Sequence, residues 1–403
     1  MNFEKLFNQQ SQIKPVQSDY FAHFQKLGLP TKALESWHYT SAKSAFQHDY
    51  AIGQAGNKNS SATSLMNQKK GWHNISFVNG ALSAAFSSES KQWVRVVEAS
   101  VEAPQDGIEA LAGAFATESY EISLPASFLD VAKLELDVTT TENSLAALDL
   151  QVKLAAQQKM VLLLNMQSHS EPAAVCLPKI KIDLGEGAEC TFVYLQDVNS
   201  QSFEFSNVKI ELQENAKLNF LNLSLGGKVS RQSLEVNIRG SNCEVIANGL
   251  LVLSGEQHVD NTTSINHHIG GSQSFQLYKG ILDGSSRSAF TGKVYIAKDA
   301  QKANSEQLNN NLLLSNNAEA DSRPMLQIYA DDVKAAHGST VGQLNADEIF
   351  YLQSRAISKE NAVKILAYGY VADLLFKLQD AELELALSHQ LKNSFAKIEM
   401  SHL

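Results

Sequence analysis

A chain of 403 residues can bury a large core and, by length alone, would fold as two or three domains. Its net charge of −10 and the absence of any basic run longer than two residues disfavour nucleic acid as a partner. Cys176, Cys190 and Cys243 stand far apart without a Cys-x-x-Cys pair, which disfavours a disulfide framework or a zinc site built from them alone. Each is expected to pack as a small apolar residue. The opening MNFEKLFNQQSQIKP lacks the apolar run of a secretory signal. No stretch approaches the ~18 apolar residues that span a bilayer, so the expectation is a soluble, cytoplasmic protein with no membrane contact.

Residues 1–70 read as a helical N-terminal region with a linker. Tyr20, Phe21, Phe24 and Leu27 recur at helical spacing before Gly28, a C-terminal stop. Thr31 is placed to cap a second short helix containing Glu35. The stretch 51–70, rich in Gly, Asn, Ser and Lys, has the composition of a linker or loop. From Gly71 the pattern changes to short β runs, the first ending in the turn pair Asn79-Gly80. Residues 103–120 read as a helical insertion, and strands resume at 134–137, 148–154 and 161–165.

An internal repeat follows. Ile182–Phe192, Ile210–Phe220, Val236–Ile246 and, more faintly, Ile265–Phe275 share one scheme, spaced by 28, 26 and 29 residues. Each copy is strand, polar turn, strand. Such a period points to a β-solenoid of stacked rungs, although an antiparallel sandwich gives similar alternation. The triple Asn309-Asn310-Asn311 suits a polar ladder running from rung to rung. Together these runs make 71–343 the core domain.

The stretch 327–357 closes that core. Ile328 and Tyr329 end a strand, Asp331-Asp332 form a bend, and Gly338 is read as a sharp positive-φ turn beside His337. Ser339, Thr340 and Val341 then read as one more short strand. Asn345 opens a helix with Glu348 in the capping-box position. Ser358 caps a second helix in which Ala362, Ile365, Leu366, Tyr368, Ala372 and Leu375 share a 3–4 spacing, and 380–391 forms a third. Residues 344–403 are thus a C-terminal helical domain, expected to cover the open end of the solenoid.

Two motifs resemble the SufB/SufD family of the SUF iron–sulfur cluster assembly system. One is LPTKALESWHYT at 29–40. The other joins Lys334-Ala335-Ala336-His337-Gly338, Thr340-Val341-Gly342 and the helix Phe350-Tyr-Leu-Gln-Ser-Arg-Ala-Ile357. Gly338 after the histidine, and the chain length, place the resemblance nearer the SufD branch. The family's usual cysteine falls on Ala335, so no thiolate stands there. The resemblance implies a right-handed parallel β-helix flanked by helical N- and C-terminal regions. It also implies a scaffold subunit, without enzymatic activity of its own, that pairs with a SufB-like subunit through the β-helix. A SufC-like ABC ATPase would bind the C-terminal helices through Asn345, Glu348, Phe350, Tyr351, Arg355 and Tyr368. A homodimer in the absence of SufB is a further possibility the resemblance leaves open.

His337 is the expected metal-binding residue: a neutral imidazole suits iron, and Ala335, Ala336 and Gly338 leave the ring uncrowded. In the family picture it helps hold a nascent Fe–S cluster transiently at the SufB interface. Trp37 and Tyr39 are expected to pack on the main body. His258, His267 and His268 make a poor metal set, since the adjacent pair point to opposite faces of a strand. Asp331 and Asp332 as the carboxylates of a β-helix polysaccharide enzyme would have to converge on one bond, and a turn role fits them better. Leu225–Ser230 lacks the upstream glycine and the hydroxyl of a phosphate loop.

Overall fold

A β-strand sends alternate side chains to opposite faces, so a strand buried on one side needs apolar residues at every second position. From Val131 onward this alternation recurs strand after strand, and the chain uses it to build two sheets at once. The computed structural model describes residues 1–53, 64–66, 69–83, 92–99, 102–168 and 173–398. The expected 51–70 linker therefore lies partly outside the described residues. Of its described part, Ala51–Ile52 is a strand paired with Ser144 and Leu145.

The first sheet stacks Val94–Val97, Ser119–Ser123, Ser144–Leu154, Val175–Leu184, Phe203–Leu212, Val229–Ile238, His258–His267, Arg287–Ile296 and Glu319–Ile328. The second stacks Ala81–Leu82, Trp72–Val78, Val131–Thr139, Lys159–Ser168, Glu189–Val198, Lys217–Ser224, Glu244–Leu253, Gln273–Leu282, Asn304–Leu313 and Lys334–Gly342. From Ser119 to Gly342 the sixteen strands alternate between sheets, two per turn, and make a parallel β-solenoid of about eight turns. The antiparallel sandwich is thereby excluded. Antiparallel pairing is confined to the starting end, as in the hairpin whose turn residues Asn79 and Gly80 have φ of 53° and 80°. A Cβ on Gly80 would collide with the carbonyl oxygen of Ala147, so this turn needs glycine for space as well as for conformation.

The repeat copies stack as the spacing predicts in their first strands: Ile182, Ile210, Val236 and Ile265 are in register. The second strands depart. Four residues link Leu184 to Glu189 and Leu212 to Lys217, but five link Ile238 to Glu244 and His267 to Gln273. The extra residue slips the register by one, and a one-residue slip exchanges the faces. Phe220 therefore pairs with Ala247, while Ile246 and Phe275 turn outward. The Asn triple is divided by the same alternation. Asn309 and Asn311 are buried and bond each other at 2.8 Å, whereas Asn310 alone reaches the next rung, accepting from Thr340 Oγ1 at 2.9 Å.

Three of the expected local structures are corrected. Lys334–Gly342 is one unbroken strand with Gly338 inside it, not a turn followed by a new strand, and Gly338 is not among the positive-φ residues. The segment after Thr31 forms a 3-10 turn, Glu35–Trp37, instead of an α-helix. Asn345 caps the helix Ala346–Gln353 by accepting from Asp347 N at 2.8 Å, at the second helical residue and not the third. Gly28 ends the helix Pro15–Leu27 as expected, and residues 103–120 contain the helix Gly107–Phe115.

The helices cover the flanks of the solenoid. Those of the N-terminal half pack on the outer face of the first sheet, against Leu145, Ala147, Val175, Leu177, Phe203 and Phe205. Lys359–Phe376 and Ala381–Ala396 pack on the outer face of the second, against Leu163, Val193, Leu195, Leu221, Leu223 and Leu250. The C-terminal bundle thus lies along the solenoid's side. The expectation that it covers the end is overturned, because the outward rows of the second sheet's middle strands are leucine-rich and need burial first.

Phe220 is fully buried between rungs, with the Phe192 ring 5.3 Å away, whereas Phe275 is 37% exposed. Phe220→Ala is expected to cost about 3–5 kcal/mol in urea unfolding, and Phe275→Ala under about 1.5 kcal/mol.

Candidate functional site

The uncovered end is formed by the last strand of each sheet, Glu319–Ile328 and Lys334–Gly342. Each has a neighbour on one side only, so each offers a row of backbone donors and acceptors. His337 sits on the second of these. Its register partner is Gln307, which pairs in turn with Gln276, and both glutamines are buried in the solenoid interior. His337 thus occupies a core-facing position, but no rung lies beyond it and the residue is exposed. The same column is apolar deeper in the stack, at Phe192 and Phe220, so its chemistry changes from hydrocarbon to amide to imidazole toward the open end. Ala335 occupies the position of Ser305 and brings no thiol.

Among the described residues no group of three or more His, Cys, Asp or Glu side chains is assembled to hold a metal ion. The three histidines weighed as a metal set are engaged separately. His267 is buried against Ser274 Oγ at 2.9 Å, with burial pulling its pKa down to about 4. His268 bonds Asn237 Oδ1 at 3.2 Å, and His258 bonds Thr40 Oγ1 at 2.7 Å.

The three cysteines are free and buried, as expected. Burial drives the Cys176 and Cys190 thiols up to about 12 and raises Cys243, so none offers a thiolate at neutral pH. Asp331 and Asp332 form the expected bend, tied by backbone hydrogen bonds of Asp332 to Gln301 Oε1 (2.9 Å) and Lys302 N (2.6 Å). Gly226-Gly227-Lys228 joins two strands and precedes no helix, so it forms no phosphate loop.

The helix Ala346–Gln353 leaves the solenoid directly after the His337 strand and has no buried residue. Phe350 is 72% and Tyr351 56% exposed. The Arg355 guanidinium lies 4.7 Å from the Tyr351 ring centre and donates to its hydroxyl at 2.6 Å, which presents the two as a unit. Asn345 and Glu348 are exposed on the same helix turn. Tyr368 is apart from these: it lies half-buried in a groove with Ile365, Lys392 and Phe395, its ring 5.8 Å from that of Phe395.

A polar network that the sequence gave no sign of fixes the N-terminal motif. Arg231 and Asp260 form a buried ion pair at 2.7 Å, and the guanidinium stacks 4.4 Å from Trp37 and donates to Ser36 O. Thr40 Oγ1 donates to Asp260 Oδ2 at 2.6 Å, so its contact with His258 requires the proton on Nε2 of that ring. Trp37 also packs on Phe205 and donates to Asp106 at 2.7 Å, which bears out its expected role; Tyr39 is half-buried beside His38. Glu35 reaches Arg323 on the terminal strand of the first sheet at 2.6 Å. The bonds from Ser36 to Arg231 and from Thr40 to His258 and Asp260 join residues 195, 218 and 220 positions apart, and no local pattern could have announced them.

Comparison with known proteins places these features. Residues 138–370 match the model of the SUF system FeS cluster assembly SufBD core domain. The chain is 28% identical to the iron–sulfur cluster assembly protein SufD of Escherichia coli over 379 residues, covering 90% of this chain and 89% of that one. It is 34% identical over 206 residues to an iron–sulfur cluster assembly SufBD family protein of Synechocystis, 51% of this chain and 45% of the relative. It is 38% identical to the iron–sulfur cluster assembly protein SufD of Bacillus subtilis over 129 residues, 32% of this chain and 30% of that one.

Two solution tests follow from the buried polar groups. Arg231→Met strands the Asp260 carboxylate in the interior and is expected to cost about 3–5 kcal/mol by urea denaturation. Glu204 faces the interior with Tyr194 OH on it at 2.6 Å, and burial lifts its pKa to about 7. The folded state therefore holds this proton where the unfolded chain releases it. Stability from Glu204 is full below the ordinary carboxylate range, falls as pH rises toward about 7 and is lost above it. Glu204→Gln is expected to flatten that part of the stability–pH curve.

Proposed function

The chain belongs to the SufBD core family of the SUF iron–sulfur cluster assembly system, and from that premise we propose that it acts as a scaffold subunit, not as an enzyme. In this reading the open end of the solenoid pairs with a SufB-like subunit, strand edge to strand edge, and His337 is carried to the seam. The observation that carries the proposal is the position of His337: an imidazole in a core-facing column, exposed only because the stack stops there. A lone imidazole cannot hold a cluster, so the nascent Fe–S cluster is cargo shared with the partner and is not bound stably by this chain alone. With Ala at 335 and every cysteine buried, sulfur ligands come from the other subunit.

The C-terminal helices are the proposed docking surface of a SufC-like ATPase. Exposed Phe350 and Tyr351 with the stacked Arg355 have the residue chemistry of interface hot spots, and Asn345, Glu348 and Tyr368 complete the proposed contact set. Nucleotide-driven movement of the ATPase would load these helices and open the seam. Where no SufB-like subunit is present, the same strand edges would pair two copies of this chain.

His337→Ala is expected to leave co-purification with both partners intact and to lower cluster loading about tenfold or more, measured as iron and acid-labile sulfide per complex. Normal loading would remove His337 from the site.

A further inference from the structure

The column that ends in His337 carries an unusual residue one rung below it. Phe220, Ala247, Gln276, Gln307 and His337 are successive register partners in the second sheet. Gln307 is fully buried, yet neither its amide nitrogen nor its amide oxygen has a hydrogen-bond partner among the described residues. An amide buried in this way costs stability that an apolar side chain of the same length would not. Such a residue calls for a reason other than packing.

The rung beneath shows what Gln307 lacks. Gln276 accepts from Thr263 Oγ1 across the interior at 2.8 Å. In the first sheet Thr263 is followed in register by Gly292 and then by Pro324. Glycine at 292 removes the hydroxyl and makes room for the amide: a Cβ there would lie 1.4 Å from Gln307 Nε2. Gln307 therefore extends across the interior to the opposite sheet, and Pro324, next in line, has no N–H to give it. The remaining direction is toward the open end. His337 and Ser339 of the last rung are exposed, so water reaches the mouth of the solenoid directly above the amide.

We infer that Gln307 is a positioning residue for His337: its amide oxygen, through one ordered water at the mouth, holds a ring N–H of His337 and leaves the other ring nitrogen free for iron. The ring N–H donates to the water and the water donates to Gln307 Oε1, which gives that water the two partners it needs. A metal-binding imidazole ordinarily has its second nitrogen held by a carbonyl, a carboxylate or a water, which fixes the tautomer and the orientation of the ring. The Gln307 amide lacks a partner inside the fold because its partner belongs to the site. This inference rests on the reading of His337 as the contact to iron, and its test is built to fail separately from that reading.

Gln307→Met keeps the length of the side chain and removes both amide groups. In the full isolated chain its urea midpoint is expected to equal or exceed that of the parent, because an unpartnered amide leaves the interior. A lower midpoint would mean that the fold itself uses the amide and would overturn the inference. Ring nitrogen NMR of His337, assigned with His337→Ala, is expected to show one neutral tautomer favoured in the parent; in Gln307→Met the ratio moves about fivefold toward that of the urea-unfolded chain, as loss of one hydrogen bond allows. An unchanged ratio would overturn the inference whatever the chain's function. In the assembled complex, Gln307→Met is expected to keep both partners while iron and acid-labile sulfide fall about tenfold. A merely structural role would lower midpoint, partner binding and loading together. Normal loading in Gln307→Met would overturn the inference, whereas failure of the functional reading shows as normal loading in His337→Ala.

Discussion

Parallel stacking in register is the constraint on which this molecule depends. Once one strand has chosen which residues face inward, each strand above it repeats the choice, because hydrogen bonds between rungs fix position against position. The inner columns of the early rungs are filled by Leu, Ile, Val and Phe, and the same columns later carry Gln, Asn and Ser without changing direction. A column is therefore a line through the protein along which chemistry varies while geometry does not. His337 inherits its aim from the Phe and Gln residues below it, and Thr340 from leucines.

A stack of this kind has to end, and an ended stack exposes strand edges. Covering them with a helix is the usual protection, but here both sets of helices are spent on the flanks, where outward apolar rows demand them. The terminal strand of the first sheet carries Pro324 in line with Gly292, which removes one edge donor. The remainder of the edge stays open. That arrangement is costly for a solitary protein and sensible for one that meets a second solenoid. It also puts the exposed helix Ala346–Gln353 immediately after the edge strand, so the two proposed contact regions are adjacent in sequence.

Much of this architecture is readable from the sequence because its cause is periodic. The repeat starts at Ile182, Ile210, Val236 and Ile265 define three correct registers, and the motif around His337 marks the last rung. What misleads is local. One added residue in the turns at 239–243 and 268–272 flips Ile246 and Phe275 outward, and a repeat scheme matched without gaps has no means of seeing that. Gly338 suggests a turn because glycine permits one, yet the ladder to Leu308 holds it extended. The Arg231–Asp260–Thr40 network is illegible for another reason: Thr40 meets its partners only after the solenoid has wound.

The sulfur chemistry bears on how labour is divided if two such subunits share a cluster. Iron takes thiolate in preference to thiol, and thiolate requires exposure or a nearby positive charge. Cys176 and Cys190 have neither; they sit in the core with pKa values driven to about 12. Cys243 is turned toward the carbonyls of Gln213 and Gly240, as a donor and not a ligand. Ala335, the one position on the terminal strand where the family places a cysteine, has no sulfur at all. On the proposed reading, the chain's contact with iron would then be reduced to the His337 nitrogen, and its contribution would lie in where the terminal strand holds that imidazole.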